Sequence, residues 1–325
     1  MGNTTSHMTP VPPRWDETQL PDIQGKIVLI TGAGTGIGFH TALELARRGA
    51  HVVLACHIEA QGRDAEAAIN TEIANTVNAN AGRAEFMLLD VSSLASVEAF
   101  TKAFMNKFSR LDVLVHNAGI STRKYNLSAD GYEAMFATNY LGHFALTARL
   151  FDSLKQSEDA RIIMVSSMLH RSVKFDVNQL MMPESTYDCI QVYRRTKLYM
   201  MLFTYEMNRR LCAKKITNVI AVAVHPGIVS THIMTLDVSD YDIFTRLSFW
   251  LSYKVMHTAD RGALCTLYAA AMPGVQGGDF YGPDTLFEIY GHPKHCEPSA
   301  AALSEEDAGL LWAKSEGLAK LIFDV

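Results

Sequence analysis

Lys26-Ile27-Val28-Leu29-Ile30-Thr31-Gly32-Ala33-Gly34-Thr35-Gly36-Ile37-Gly38 is the stretch on which the fold turns. Lys26 to Thr31 runs continuously into the apolar pattern of a buried strand, and the glycines follow at once. Phe39, Ala42, Leu43, Leu45 and Ala46 then recur at helical spacing until Gly49 stops the helix. Strand, glycine turn and helix in that order form a phosphate-binding unit. Glycines let backbone approach a phosphate closely, and the helix N-terminus offers free N–H groups and a partial positive charge. The spacing is G-x-x-x-G-x-G and not the dinucleotide fingerprint G-x-G-x-x-G. Without a ligand, the same residues would be a plain glycine-rich turn.

Working outward, strands are expected at His51–Ala55, Glu85–Leu89, Val113–His116, Arg161–Ser166 and Val219–Val224. Between them a polar helix spans about residues 59–78, and Leu94, Val97, Phe100, Phe104 and Phe108 mark one apolar helical face. Longer helices are expected over about 130–154 and from Tyr193 to about Cys212, and Ser304-Glu305-Glu306-Asp307 caps a last helix through Leu310 and Leu311. Near-continuous apolar strands joined by helices imply a parallel sheet covered on both faces. Right-handed crossovers wind it doubly, so a single α/β domain of Rossmann type is expected over residues 23–325, flanked by helices.

The bulk properties narrow the function. The net charge of −5 is spread along the chain without a basic stripe, which excludes nucleic acid as a partner. Cys56, Cys189, Cys212, Cys265 and Cys296 are scattered and lack C-x-x-C spacing, as in a reducing, cytoplasmic compartment, and they form neither a disulfide frame nor a metal site. No apolar run reaches the length of a membrane span, and residues 1–22 read as a flexible polar leader without a secretory signal. Met1-Gly2-Asn3-Thr4-Thr5-Ser6 fits the N-myristoylation pattern at Gly2. One acyl chain would give only reversible, peripheral membrane contact, and a disordered leader fits the residues equally well.

Tyr193-Arg194-Arg195-Thr196-Lys197 supplies the chemistry. Four positions separate phenol and ammonium, so both lie on one helix face. An ammonium nearby is expected to lower the tyrosine pKa from about 10 and fit it for proton exchange with an alcohol or carbonyl.

In order and spacing, Thr31 to Gly38, Asn117-Ala118-Gly119, Asn139, Ser166-Ser167, Tyr193 with Lys197, and His225-Pro226-Gly227 together resemble the short-chain dehydrogenase/reductase family. The resemblance covers roughly residues 22 to 320. Asn139-Tyr140-Leu141-Gly142-His143-Phe144, the long segment from Ser167 to Tyr193, and Leu310 to Leu318 are similar to its retinol dehydrogenase branch. That resemblance implies an NAD(P)-dependent oxidoreductase with Tyr193 as proton donor and acceptor. Lys197 would tune Tyr193 and bond the nicotinamide ribose, Ser167 (or else Ser166) would hold the substrate oxygen, and Asn139 would hold a water linking Lys197 to solvent.

It further implies cofactor contacts at Gly32, Thr35, Gly36, Ile37 and Gly38, at Asp90 and Val91, and at Asn117, Ala118 and Gly119. Pro226, Gly227, Ile228 and Thr231 would meet the nicotinamide end. The second strand ends Ala55-Cys56-His57, without the carboxylate that an NAD enzyme offers the ribose 2′-OH, and His57 is a weak cation, so NADP is favoured over NAD. His116 stands where the family has an asparagine. Tyr241 to Met256, dense in apolar residues, matches the family's substrate lid at about 228–258 and suggests a lipophilic alcohol or carbonyl (retinoid-, steroid- or fatty-aldehyde-like); a helix packed on the domain or on a second subunit is the other reading. Pairing of long helices in relatives implies a homodimer. An NAD-preferring dehydrogenase of the same fold, or a non-catalytic nucleotide-sensing protein, would fit the same motifs.

Overall fold

The computed structural model describes residues 10–75, 80–229 and 257–325. Gly2, Thr231 and nearly all of the expected lid lie outside the described residues.

Eight strands form one sheet: β1 (Ile27–Thr31), β2 (His51–Cys56), β3 (Arg83–Leu88), β4 (Val113–His116), β5 (Ala160–Val165), β6 (Val219–Val224), β7 (Phe280–Pro283) and β8 (Pro293–His295). Their order is β3-β2-β1-β4-β5-β6-β7-β8; β8 alone runs antiparallel, along β7. β1 pairs with β2 on one edge and β4 on the other, Val28 opposite both Val52 and Val113. There the chain reverses its direction of winding, which opens a crevice beyond the carboxyl ends of the strands.

Alternation along β1 divides the core. Val28 and Ile30 face a layer of α1 (Gly36–Arg47), α2 (Glu59–Ala74) and a later helix, Ala259–Ala271. Leu29 faces α3 (Leu94–Lys107), α4 (Gly142–Lys155), α5 (Cys189–Ala213) and the final helix, Glu305–Ala319. That final helix starts as expected, the Ser304 hydroxyl accepting from the Asp307 N–H. Trp312 holds it down by stacking on Phe203 at 5.6 Å and Phe323 at 4.8 Å, contacts worth about 0.5–1.5 kcal/mol each beyond their buried area.

Three expectations change. Residues 10–22 are packed, not a loose leader. Trp15 is fully buried edge-on to Tyr268 at 5.1 Å, and Arg48 donates to the carbonyls of Glu17 and Thr18. One large aromatic ring, among polar residues and prolines, finds its partner on a distant helix. The helix expected over 130–154 begins at Ala134 and contains a π-helical turn at Ala137–Leu141, a feature that recurs at functional sites. The helix Ala259–Ala271 and strands β7 and β8 were not expected at all. The strands are four and three residues long and carry Gly282, Pro283 and Pro293, so pairing with β6 creates them where local propensity does not.

Candidate active site

Gly32 turns the chain out of β1 at φ 66°, and a Cβ there would lie 2.9 Å from the Ala118 Cα. Gly38 does not line the crevice. Its missing side chain admits the Asn117 amide, which a Cβ would approach to 2.6 Å. Asn117 Nδ2 donates to the Thr31 and Gly32 carbonyls at 2.9 and 3.2 Å, while the Thr31 hydroxyl accepts the N–H groups of Asn117 and Ala118. The loops after β1 and β4 are thereby clamped together at the point where the winding reverses. Thr35, the residue capping α1, makes no side-chain bond to the helix, which leaves the first N–H groups of α1 open to an anion.

Below this loop lies a cleft of about 1000 Å³. Gly32, Thr35, Gly36, Ile37, His57, Asp90, Val91, Asn117, Ala118, Gly119, Ser167, Tyr193, Lys197, Pro226, Gly227 and Ile228 all line it. His40, Gln61, Ile120, Met168, Leu169 and Val229 line it as well and were missed. His40 had a readable signal, one helical turn beyond Gly36; the others reach the cleft only through tertiary packing.

The two serines separate cleanly. Ser166 Oγ donates to the Lys197 carbonyl at 2.8 Å and is buried in that bond. Ser167 lies close enough to the Tyr193 hydroxyl to favour its ionised form, and it accepts the Leu169 N–H at 3.2 Å. Ser167→Ala should therefore lower turnover about 10–10²-fold with little change in melting temperature. Ser166→Ala should leave turnover within a few-fold and lower stability by about 1 kcal/mol. Steady-state kinetics and thermal unfolding on both variants check this; equal kinetic losses would refute the distinction.

Lys197 is fully enclosed and donates to the Val165 carbonyl at 2.9 Å and toward Met200 Sδ at 3.7 Å. An ammonium has three donors, so one remains for the cleft. Burial pulls its pKa down to about 8. Its Nζ sits 5.5 Å from the Tyr193 ring centroid, over the ring. The expected lowering of the Tyr193 pKa does not occur. Burial pushes that hydroxyl up to about 12, and nearby Ser167 offsets only part of the rise. Spacing along a helix measures proximity; it does not measure the water lost around the phenol.

Asn139 is fully buried and does not line the cleft. Its amide accepts the Ile120 N–H at 2.8 Å and donates to the Ile120 carbonyl and to Thr196 Oγ1. It pins the 117–120 loop to α5, so in this structure it positions the site without reaching the reacting atoms.

The short chain dehydrogenase family model matches residues 26–242, two thirds of the chain. The chain belongs to the short-chain dehydrogenase family. It is an NAD(P)-dependent oxidoreductase acting on CH–OH groups. The chain is similar to the WW domain-containing oxidoreductase of Homo sapiens, 37% identical over 306 residues, spanning 91% of this chain and 69% of that protein. It is likewise similar to retinol dehydrogenase 14 of Mus musculus, 36% identical over 301 residues, 90% of this chain and 86% of the relative. A crystal structure of an uncharacterised protein from Mycobacterium paratuberculosis matches with a TM-score of 0.76 and 35% identity over 96% of this chain and 99% of that one. The Pseudomonas aeruginosa RhlG/NADP active-site complex matches in fold, with a TM-score of 0.61 and 20% identity over 80% of this chain and 94% of that one.

This short-chain dehydrogenase keeps its sheet intact where His116 replaces the family's asparagine. His116 Nε2 pairs with Thr147 Oγ1 at 2.7 Å, and burial holds the ring neutral. No helix among the described residues is long and apolar enough to cross a membrane.

Proposed function

We propose that the chain interconverts a lipophilic alcohol and its carbonyl compound, with NADP as the preferred hydride partner and Tyr193 as general acid and base. The observation that carries this reading is the placing of Tyr193 and Ser167, neighbouring hydroxyls, on the wall of the same cleft as the glycine loop. A carbonyl oxygen set between two hydroxyls is polarised by both and can take its proton from the phenol. With its pKa at about 12, Tyr193 is protonated at neutral pH, the state that carbonyl reduction requires. Lys197, close to neutrality at about 8, keeps a cation beside the phenol as negative charge develops there.

Gly32, Thr35, Gly36 and Ile37 would hold the pyrophosphate, Asp90 and Val91 the adenine, and Pro226, Gly227 and Ile228 the nicotinamide end, with Gly38 and Asn117 shaping the loop and Ala118 and Gly119 forming its far wall. Bound, NADP supplies or accepts the hydride. His57, just past β2, and His40, on α1, line the cleft, and Asp90, whose side chain is tied to Ser92 at 2.7 Å, is the one lining carboxylate among the described residues. That balance favours a 2′-phosphate over a free 2′-OH. Ile120, Met168, Leu169, Ile228 and Val229 give the substrate end apolar walls, which supports a lipophilic substrate; retinol dehydrogenase 14, by its name, acts on such an alcohol.

NADPH and NADH consumption on a panel of aldehydes and ketones of increasing chain length tests the reading. Expected is faster consumption of NADPH, with kcat/KM rising as the carbonyl compound lengthens. Preference for NADH would overturn the cofactor assignment; consumption of neither would indicate a nucleotide-binding protein without turnover.

A further inference from the structure

We propose that Glu288 is a positioning residue: through hydrogen bonds to His225 and Arg171 it locks the loop His225–Ile228 to the segment that carries Ser167. The inference rests on the reading that the cleft takes a nicotinamide dinucleotide.

His225 follows β6 directly and is fully buried. Its Nδ1 accepts the Gly227 N–H at 3.3 Å, so the ring proton resides on Nε2 and is donated to Glu288 Oε2 at 3.0 Å. Arg171 Nη1 donates to the same oxygen at 2.7 Å, and its Nη2 donates to the Glu297 carbonyl at 2.8 Å. Arg171 lies in the short helix Met168–Ser172, which Ser167 caps. The neighbouring His170 donates from Nδ1 to the Ser167 carbonyl at 2.7 Å and accepts the Ser299 N–H at Nε2. The segment after Ser167 is thus fastened at two successive residues to chain beyond β7.

The turn that brings Glu288 into place is strained and rests directly on the loop it would hold. Phe287 and Glu288 both occupy left-handed backbone, at φ 62° and 56°, which non-glycine residues hold only when surroundings force them. The next carbonyl, of Ile289, accepts the Ile228 N–H at 2.9 Å, and a Cβ on Gly227 would come within 2.2 Å of that oxygen. Burial works against the Glu288 carboxylate, but the His225 and Arg171 bonds and the Arg171 charge hold its pKa at about 2, so it is anionic at any working pH. Cys296 Sγ also approaches His225 Nε2, at 3.9 Å. These donors do not read as a metal centre: the Nε2 proton and the guanidinium face Glu288, and burial keeps the thiol protonated to about 12.

The three segments joined here carry the substrate-facing serine and Pro226 to Ile228. None of them touches the adenine end of the cleft. Loss of the network should therefore weaken recognition of the nicotinamide half alone. Glu288→Gly tests this in the full chain, because glycine accepts φ 56° without strain and should preserve the turn. Arg171→Met, at a partly exposed side chain, carries the same test if the glycine variant loses the fold. Binding of NADPH and of 2′-phospho-ADP-ribose, which lacks the nicotinamide, is measured by titration, with thermal unfolding as a control. Expected is a rise in Kd for NADPH of about tenfold or more, in the range of lost outer-shell partners, and an unchanged Kd for the fragment. The double variant should be no worse than either single one. If the parent prefers NADPH over the fragment and the variants prefer it equally, the proposal is overturned. A parent that binds neither would instead remove the reading of the cleft, and the proposal with it.

Discussion

Tyr193→Phe should lose about 10²–10⁴-fold in turnover while binding NADPH as the parent does. That loss corresponds to about 3–5 kcal/mol of transition-state stabilisation, because each 1.36 kcal/mol is a factor of ten. The substitution removes one oxygen from a buried ring and leaves its packing in place. Ser167 keeps its bond from the Leu169 N–H, so the fold should lose no more than about 1 kcal/mol. The missing oxygen is the proton source for the carbonyl, on the cleft wall beside Ser167. Single-turnover reduction, with nucleotide titration and thermal unfolding on the same variant, separates the chemical loss from the trivial ones. Parent-like turnover would refute the assignment of Tyr193. Loss of nucleotide binding in parallel would show that the phenol holds the cofactor and does not do the chemistry.

Lys197→Met should combine a loss of turnover of about 10²-fold or more with a fold no less stable than the parent's at neutral pH. An enclosed ammonium is a burden on the native state. Its pKa falls from 10.5 to about 8 through burial, a difference equivalent to about 3 kcal/mol. The sign follows from proton binding. Between pH 8 and 10.5 the unfolded chain holds this proton and the native chain does not, so native stability rises with pH across that window. Below pH 8 the burden is fully present. Methionine removes it and forfeits the bond to the Val165 carbonyl, worth about 1–3 kcal/mol. The parent should therefore gain thermal stability relative to Lys197→Met as pH climbs from 8 to 10.5. Its reductive rate should decline over the same range as the charge beside Tyr193 is lost. A methionine variant that melts well below the parent at pH 7, or a parent rate that stays flat to pH 10, would contradict this account.

Local sequence made much of the fold legible because strands and helices announce themselves by periodicity. β1, β4 and β6 were readable from short apolar runs, and α1 from its apolar face behind four glycines. β7 and β8 were not, because Phe280-Tyr281-Gly282-Pro283 and Pro293-Lys294-His295 become strands only by pairing with a sheet already built. Trp15 was hidden for a similar reason. It stands in no periodic apolar run, and its partner Tyr268 lies some 250 residues along the chain.

The site divides along the same line. Residue order alone determined that a glycine turn follows the first strand, that a phenol and an amine share one helix face, and that two serines close the fifth strand. Those are short-range facts, set by chain geometry over a few residues. Only the tertiary structure decided that Ser166 turns into α5 and Ser167 toward Tyr193, that the phenol titrates high, and that Arg171, Glu288 and His225 meet. Desolvation sums over everything packed around a group, and contacts between positions 171, 225 and 288 leave no periodic trace in the chain.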